Sequence, residues 1–186
     1  FGLVGDNFSK EKVIKTLPGK FAIGHNRYST TGETALRNIQ PFFADTNAGG
    51  IGVAHNGNLT NAIKLRDKMV EEGSIFYTTS DTETIVKLIA RSKRSKTVDR
   101  VIDALFQIQG GYALVVLTQN ILIGARDPFG IRPLVIGKLK NCYVVASETC
   151  ALDIIGAKYV RDVDNGEIVV IENGKLESIK PFPKKK

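Results

Sequence analysis

Three short stretches of this 186-residue chain hold residue types that can do chemistry on a small polar molecule. The first is Asn56-Gly57, which follows an apolar run. An asparagine amide and a glycine N–H can donate together to an oxygen on which negative charge develops, which is the arrangement of an oxyanion hole. Glycine also lets the backbone come close to a ligand. The same dipeptide is the commonest tight-turn pair, so taken alone it fits a plain turn equally well. The second stretch is His25-Asn26-Arg27-Tyr28, also behind an apolar run, where Arg27 either offers a planar fork of donors to a carboxylate or sits in solvent. The third is Asp81, in the first turn of a helix, where the helix dipole favours a carboxylate with or without a ligand. An arginine and an aspartate converging on one pocket would select a zwitterionic amino acid. His25 and His55 could serve a cysteine nucleophile, but nothing in the spacing brings Cys142 or Cys150 beside them, and both thiols read as structural.

The elements that must position these groups follow from apolar periodicity. Phe21, Ala22, Ile23 and Gly24 predict a buried strand after the Pro18-Gly19 turn, and residues 50–54 predict a second that stops at His55-Asn56-Gly57-Asn58. A helix follows with Ala62, Leu65 and Met69 on one face and Gly73 as its stop. Ser80-Asp81-Thr82-Glu83 has capping-box spacing ahead of Ile85, Leu88 and Ile89, so a second helix starts there. A third runs from Thr97, with a stripe of Val98, Val101, Ile102 and Leu105, until Gly110-Gly111 breaks it. Runs rich in Val, Ile and Leu at 112–117, 121–125, 134–137 and 143–146 predict antiparallel strands, and a short helix is expected around 151–155. Asn173-Gly174 between 168–171 and 176–179 is a strong hairpin signal. This order predicts one α+β domain with helices packed on antiparallel sheets and no parallel winding.

Composition removes several function classes. Apolar residues make up 42% and charged residues 24%, a balance that supports a folded core rather than disorder. The net charge of +7 raises nucleic-acid binding as a competing reading. Its densest clusters, Arg91, Lys93, Arg94 and Lys96 together with Lys184 to Lys186, lack the interleaved aromatics of a base-stacking face, so no nucleic-acid partner is expected. No stretch approaches the ~20 apolar residues of a membrane span. The start of the chain lacks a secretory pattern, and two cysteines make no disulfide framework, so the expectation is a cytoplasmic protein without a membrane partner.

Taken together and in order, Gly24-His25-Asn26-Arg27-Tyr28-Ser29-Thr30-Thr31-Gly32, Gln40-Pro41-Phe42, Ala54-His55-Asn56-Gly57-Asn58-Leu59-Thr60-Asn61 and Thr79-Ser80-Asp81-Thr82-Glu83 resemble the glutaminase domain of class II glutamine amidotransferases. Within that class, Arg126-Asp127-Pro128-Phe129-Gly130-Ile131-Arg132-Pro133-Leu134, Val145-Ala146-Ser147-Glu148-Thr149 and Arg161-Asp162-Val163 resemble the amidophosphoribosyltransferase family. The likeness runs from about residue 19 to residue 179.

The resemblance implies an N-terminal-nucleophile hydrolase fold, an αββα sandwich of two antiparallel sheets between helical layers. It implies Arg27 on the α-carboxylate of glutamine, Asp81 on its α-amino group, Asn56 (side chain) and Gly57 (backbone N–H) as the oxyanion hole, and Tyr28 and Thr30 as pocket wall. It places the 126–134 segment in a structural role or against the synthase half. The family's nucleophile is an N-terminal cysteine with its own α-amine as base, yet no cysteine precedes Phe1. The expectation is therefore that residues 1–186 are a glutaminase-domain fragment, incomplete at the N-terminus, inactive alone and without its phosphoribosyltransferase domain. The parent would pass ammonia from glutamine to phosphoribosyl pyrophosphate, giving 5-phosphoribosylamine for purine biosynthesis, and would be a homo-oligomer. No cofactor is expected in this domain and Mg2+ is expected in the phosphoribosyltransferase domain, while an iron–sulfur cluster in the parent is left open. Two alternatives stand beside this reading: a non-catalytic glutaminase-like binding module, and the glutaminase domain of another amidotransferase.

Overall fold

The computed structural model describes residues 4–26 and 36–183. Two short helices, α1 (Val4–Phe8) and α2 (Glu11–Lys15), come first, then a 3-10 turn at Leu36–Asn38. Next come β1 (Phe42–Thr46), β2 (Gly49–Leu59), α3 (Ala62–Glu71), α4 (Asp81–Arg91) and α5 (Thr97–Leu105). The chain continues through β3 (Gly110–Leu117), β4 (Ile121–Arg126), β5 (Val135–Leu139), β6 (Cys142–Ala146), α6 (Thr149–Ile154), β7 (Lys158–Asp162), β8 (Ile168–Glu172) and β9 (Lys175–Ile179). The strands form a larger sheet in the order β1-β2-β3-β4-β8-β9 and a smaller one in the order β6-β5-β7, with every pair antiparallel.

Side-chain alternation along the strands sorts the apolar residues into three cores. Leu114, Val116, Ile123, Ile168 and Val170 face one way from the larger sheet, against Met69, Ile85, Ile89, Val101 and Leu105 of α3, α4 and α5. Their neighbours Ala113 and Val169 face the other way and meet Leu134 and Ile136 of the smaller sheet's layer. Val135, one residue out of step, points outward to Leu152 of α6. The layers are therefore helix, sheet, sheet, helix, the α+β sandwich expected from the sequence. Full burial of a side chain such as Ile85 contributes about 1.5–3 kcal/mol, so α4, with Ile85 and Ile89 at 0% and 1% exposure, is held firmly to the sheet.

The helical stripes and the final hairpin form as expected. Asn173 and Gly174 take positive φ, 50° and 73°, the left-handed pair that a two-residue hairpin turn requires. Three expectations need correction, and one strand, β7, had not been expected. The 21–24 run is not a strand: Ala22 and Gly24 are exposed, and the edge of the larger sheet beside β2 is held by β1. β2 does not stop at residue 54 but continues to Leu59, because Gly110 and Gly111 of β3 let the two backbones stay paired through residues 57–59. β7 shows no apolar alternation, with four of its five residues exposed, and so gave no strand signal. Cys142 and Cys150 are exposed free thiols rather than packed structural ones. Among the described residues no helix is long and apolar enough to cross a membrane.

Candidate functional site

The extension of β2 carries His55, Asn56 and Gly57 inside a strand, opposite Leu114, Ala113 and Tyr112 of β3, so the Asn-Gly pair is not a turn. Gly57 has φ 151°, and a Cβ there would stand 2.1 Å from the Gly111 carbonyl oxygen and 2.9 Å from His55 Nε2. No other residue fits the position without moving the neighbouring strand. Strand pairing therefore fixes the placement of the Asn56 amide and the Gly57 backbone.

Asp81 reaches the same strand from the first turn of α4. Its Oδ2 accepts the Leu59 N–H at 3.0 Å, and its Oδ1 lies 3.4 Å from His55 Nδ1. The same imidazole nitrogen is 3.3 Å from Thr82 Oγ1, while His55 Nε2 is buried without a hydrogen-bond partner among the described residues. Burial alone would raise the Asp81 carboxyl. The His55 ring and the N–H groups of Leu59 and Thr82 outweigh that and hold it below the ordinary aspartate range. One-fifth of the side chain stays exposed, so a charged carboxylate is within reach of a solute.

The start of α4 departs from the predicted capping box. Ser80 Oγ accepts the Thr82 N–H at 3.3 Å, not that of Glu83. Glu83 reaches past Ser80 to the N–H groups of Tyr77 (3.0 Å) and Thr78 (2.8 Å) and to the Thr78 hydroxyl (2.8 Å). Its burial is offset by these bonds, which together keep its carboxyl low and lock residues 77–83 into one piece. Asn38, 2% exposed, ties that piece to the 36–40 segment by donating to Thr79 Oγ1 at 2.9 Å and accepting the Thr79 N–H at 3.1 Å. Gln40 Oε1 accepts the His55 N–H at 2.8 Å.

A third element arrives from the 127–132 loop after β4. Arg132 Nη2 donates to Asn56 Oδ1 at 2.7 Å. The loop is wound around the fully buried Asp127, whose carboxylate accepts the N–H groups of Phe129 (3.0 Å), Ile131 (3.1 Å), Arg132 (3.0 Å) and, on β3, Tyr112 (3.3 Å). Arg126 closes the other side by donating to the carbonyls of Arg132 (2.8 Å), Gly130 (3.1 Å) and Val163 (2.8 Å).

Asp81 therefore meets β2 at His55 and Leu59, on the same strand that carries Asn56 and Gly57. Arg27, Tyr28 and Thr30 lie outside the described residues. Cys142 on β6 and Cys150 on α6 belong to the smaller sheet's side, whereas His55 lies on β2 of the larger sheet. Asn38, Gln40 and Arg132 were not singled out from the sequence, and His55, considered there only as a partner for a cysteine, instead meets Asp81. Gln40 and Arg132 do fall in motifs quoted for the family resemblance, but their partners lie 15 and 76 residues away.

Residues 25–153 match the family described as "Glutamine amidotransferase domain". An amidophosphoribosyltransferase from Rhizobium etli is 54% identical over 171 residues, which cover 92% of this chain and 34% of the relative. The solved glutamine phosphoribosylpyrophosphate amidotransferase from B. subtilis, complexed with ADP and GMP, is 42% identical with a TM-score of 0.79, covering 84% of this chain and 34% of that one. A solved structure described as the allosteric regulatory enzyme of purine biosynthesis is 38% identical with a TM-score of 0.86, covering 96% and 38%. The chain spans about a third of the length of the curated relatives it matches.

Proposed function

The chain belongs to the glutamine amidotransferase domain family, and from that premise we propose that it is the glutamine-hydrolysing half of an amidophosphoribosyltransferase. The full-length protein would release ammonia from glutamine and deliver it to phosphoribosyl pyrophosphate, forming 5-phosphoribosylamine for purine biosynthesis. Support for this finer reading comes from relatives of that name at 43% to 54% identity over nearly the whole chain.

In the proposed reaction a cysteine thiolate attacks the side-chain carbonyl carbon of glutamine, and the carbonyl electron pair moves onto oxygen. The Asn56 NH2 and the Gly57 N–H donate to that oxyanion. Its collapse expels ammonia, protonated through the cysteine's α-amine, and water then cleaves the thioester to glutamate. The nucleophile is assigned to the part of the full-length protein before residue 1, and the ammonia acceptor site to the part after residue 186. Asp81 holds the substrate ammonium as a charged carboxylate, Arg27 its carboxylate, and Tyr28 and Thr30 wall the pocket. Hydrolysis as written uses no metal or cofactor, and Mg2+ is assigned to the phosphoribosyl half. The two exposed free thiols suit a reducing compartment, and the proposed setting is the cytoplasm.

The observation that supports the reading is the joining of Asp81, through Leu59 and His55, to the same strand that carries Asn56 and Gly57. Asp81→Ala and Arg27→Ala in the full-length enzyme test it. Glutamine-dependent phosphoribosylamine formation should fall by about 10- to 100-fold, on the scale of a lost charged hydrogen bond, while ammonia-dependent formation stays intact. Equal loss of both activities would overturn the assignment.

A further inference from the structure

We infer that Arg132 is a positioning residue for the oxyanion-holding amide, fixing which end of the Asn56 side chain faces the substrate. The inference rests on the reading of Asn56 given above.

A terminal amide has nearly the same shape in its two orientations, which differ by half a turn about its last bond. In one, the NH2 donates to a developing oxyanion. In the other, the carbonyl oxygen faces it and repels it. What decides between them is the chemistry on the far side of the amide. There Arg132 Nη2 stands 2.7 Å from Oδ1. A guanidinium has five donors and accepts no hydrogen bond, so only the oxygen end can rest against it, and the NH2 is turned away from Arg132. The pair is charge-assisted. It pulls electron density toward Oδ1 and makes the opposite N–H groups stronger donors.

Arg132 is itself held in place. Its backbone N–H is bound by the buried Asp127 and its carbonyl by Arg126, so the loop offers the guanidinium from a fixed base. Arg132 Nε is buried without a hydrogen-bond partner among the described residues. The arginine therefore bears an unsatisfied donor to hold its place against Asn56, which a purely loop-stabilising side chain would have little reason to do. Asp127 also binds the N–H of Tyr112, the residue paired with Gly57, so one buried carboxylate sets both the loop and the strand that flank the two oxyanion donors.

The test uses the full-length enzyme and measures glutamate release from glutamine. Arg132→Ala should lower kcat by about 10- to 100-fold, within the range for a lost oxyanion donor, and change the glutamine KM by less than about threefold. Ammonia-dependent synthesis should be unaffected. Arg132→Lys, still a pure donor, should recover part of the loss. Arg132→Gln, whose amide can accept as well as donate, should not. In an Asn56→Ala background the further effect of Arg132→Ala should shrink below about twofold, because there is no amide left to orient. Equal loss in both backgrounds, a loss confined to KM, or equal activity of the Lys and Gln variants would each overturn the inference. The Lys and Gln pair decides the matter if the alanine variant does not fold. If Asn56→Ala alone leaves kcat unchanged, the oxyanion assignment falls and the role of Arg132 with it; if Asn56→Ala is slow but the Arg132 effect is additive, only the present inference fails.

Discussion

Asp127 and Glu167 are both fully buried carboxylates at the same end of the larger sheet, and they organise their surroundings in opposite ways. The side chain of Asp127 accepts four main-chain N–H groups, three from its own loop and one from β3. Glu167 is gripped mainly by side chains: both terminal nitrogens of Arg161, at 2.8 and 2.6 Å, and the Ser178 hydroxyl, with the Asp164 N–H at 2.6 Å as its main-chain contact. The two are joined through the backbone, since the Arg126 N–H binds the Glu167 carbonyl and the Gly166 N–H binds that of Asp127. The difference teaches where each device is useful. A carboxylate satisfied by main chain dictates a loop path and aims a neighbouring side chain, here Arg132 at Asn56. One satisfied by an arginine fork staples two segments and depends on its charge.

Glu167→Ala should break the contrast most severely. It strips the partner from Arg161, whose side chain is 38% exposed, and from two further donors, and chemical denaturation should register a loss of about 3–4 kcal/mol, a few charged hydrogen bonds at about 1.5–3 kcal/mol each discounted for the water that reaches Arg161. Acid comes next. Burial would raise the Glu167 carboxyl, but Arg161, Ser178 and Asp164 together depress it to about 2 from an ordinary 4.5. A group depressed in the folded state stabilises fully above its unfolded value and ceases to do so as pH falls through the folded one. About 3 kcal/mol should therefore drain away between pH 4.5 and pH 2, and wild-type and Glu167→Gln stability curves should converge toward the acid end. The smallest effect belongs to Asp127→Asn, which keeps one acceptor oxygen but turns an NH2 toward N–H donors. A cost of about 1–3 kcal/mol is expected in denaturation, accompanied by slower glutamine turnover. Glu167→Gln should lack that kinetic penalty when assayed near neutral pH, and finding it in both variants would erase the distinction drawn between the two sites.

Much of this architecture could be read directly from residue patterns. The stripes of α3, α4 and α5, the glycine stop at Gly73 and the Asn173-Gly174 turn are local signals with local causes, and each appears where the sequence places it. What escaped depends on partners distant in sequence. The continuation of β2 past Gly57 needs Gly110 and Gly111 opposite Leu59 and Asn58, because side chains there would collide with the facing backbone and with Ile131. Without knowledge of that pairing, Asn-Gly reads as a turn. The 21–24 run has strand composition, but a strand is defined by a neighbour, and neither sheet pairs with it. The site divides in the same way. Asp81, Asn56 and Gly57 were nameable from residue type, whereas the groups that hold them, His55, Asn38, Gln40 and Arg132, act across separations that no local spacing reveals.

Asp81 is the first residue of a helix with seven of its eleven residues buried. Its carboxylate is consequently bolted to the central packing layer and cannot swing separately from it. Whatever solute clasps that carboxylate braces the whole framework, and at a hundredfold excess over its dissociation constant it adds about 2.7 kcal/mol to the resistance of the domain against unfolding. Occupancy of that carboxylate and the heat tolerance of the core thereby become two readings of a single equilibrium.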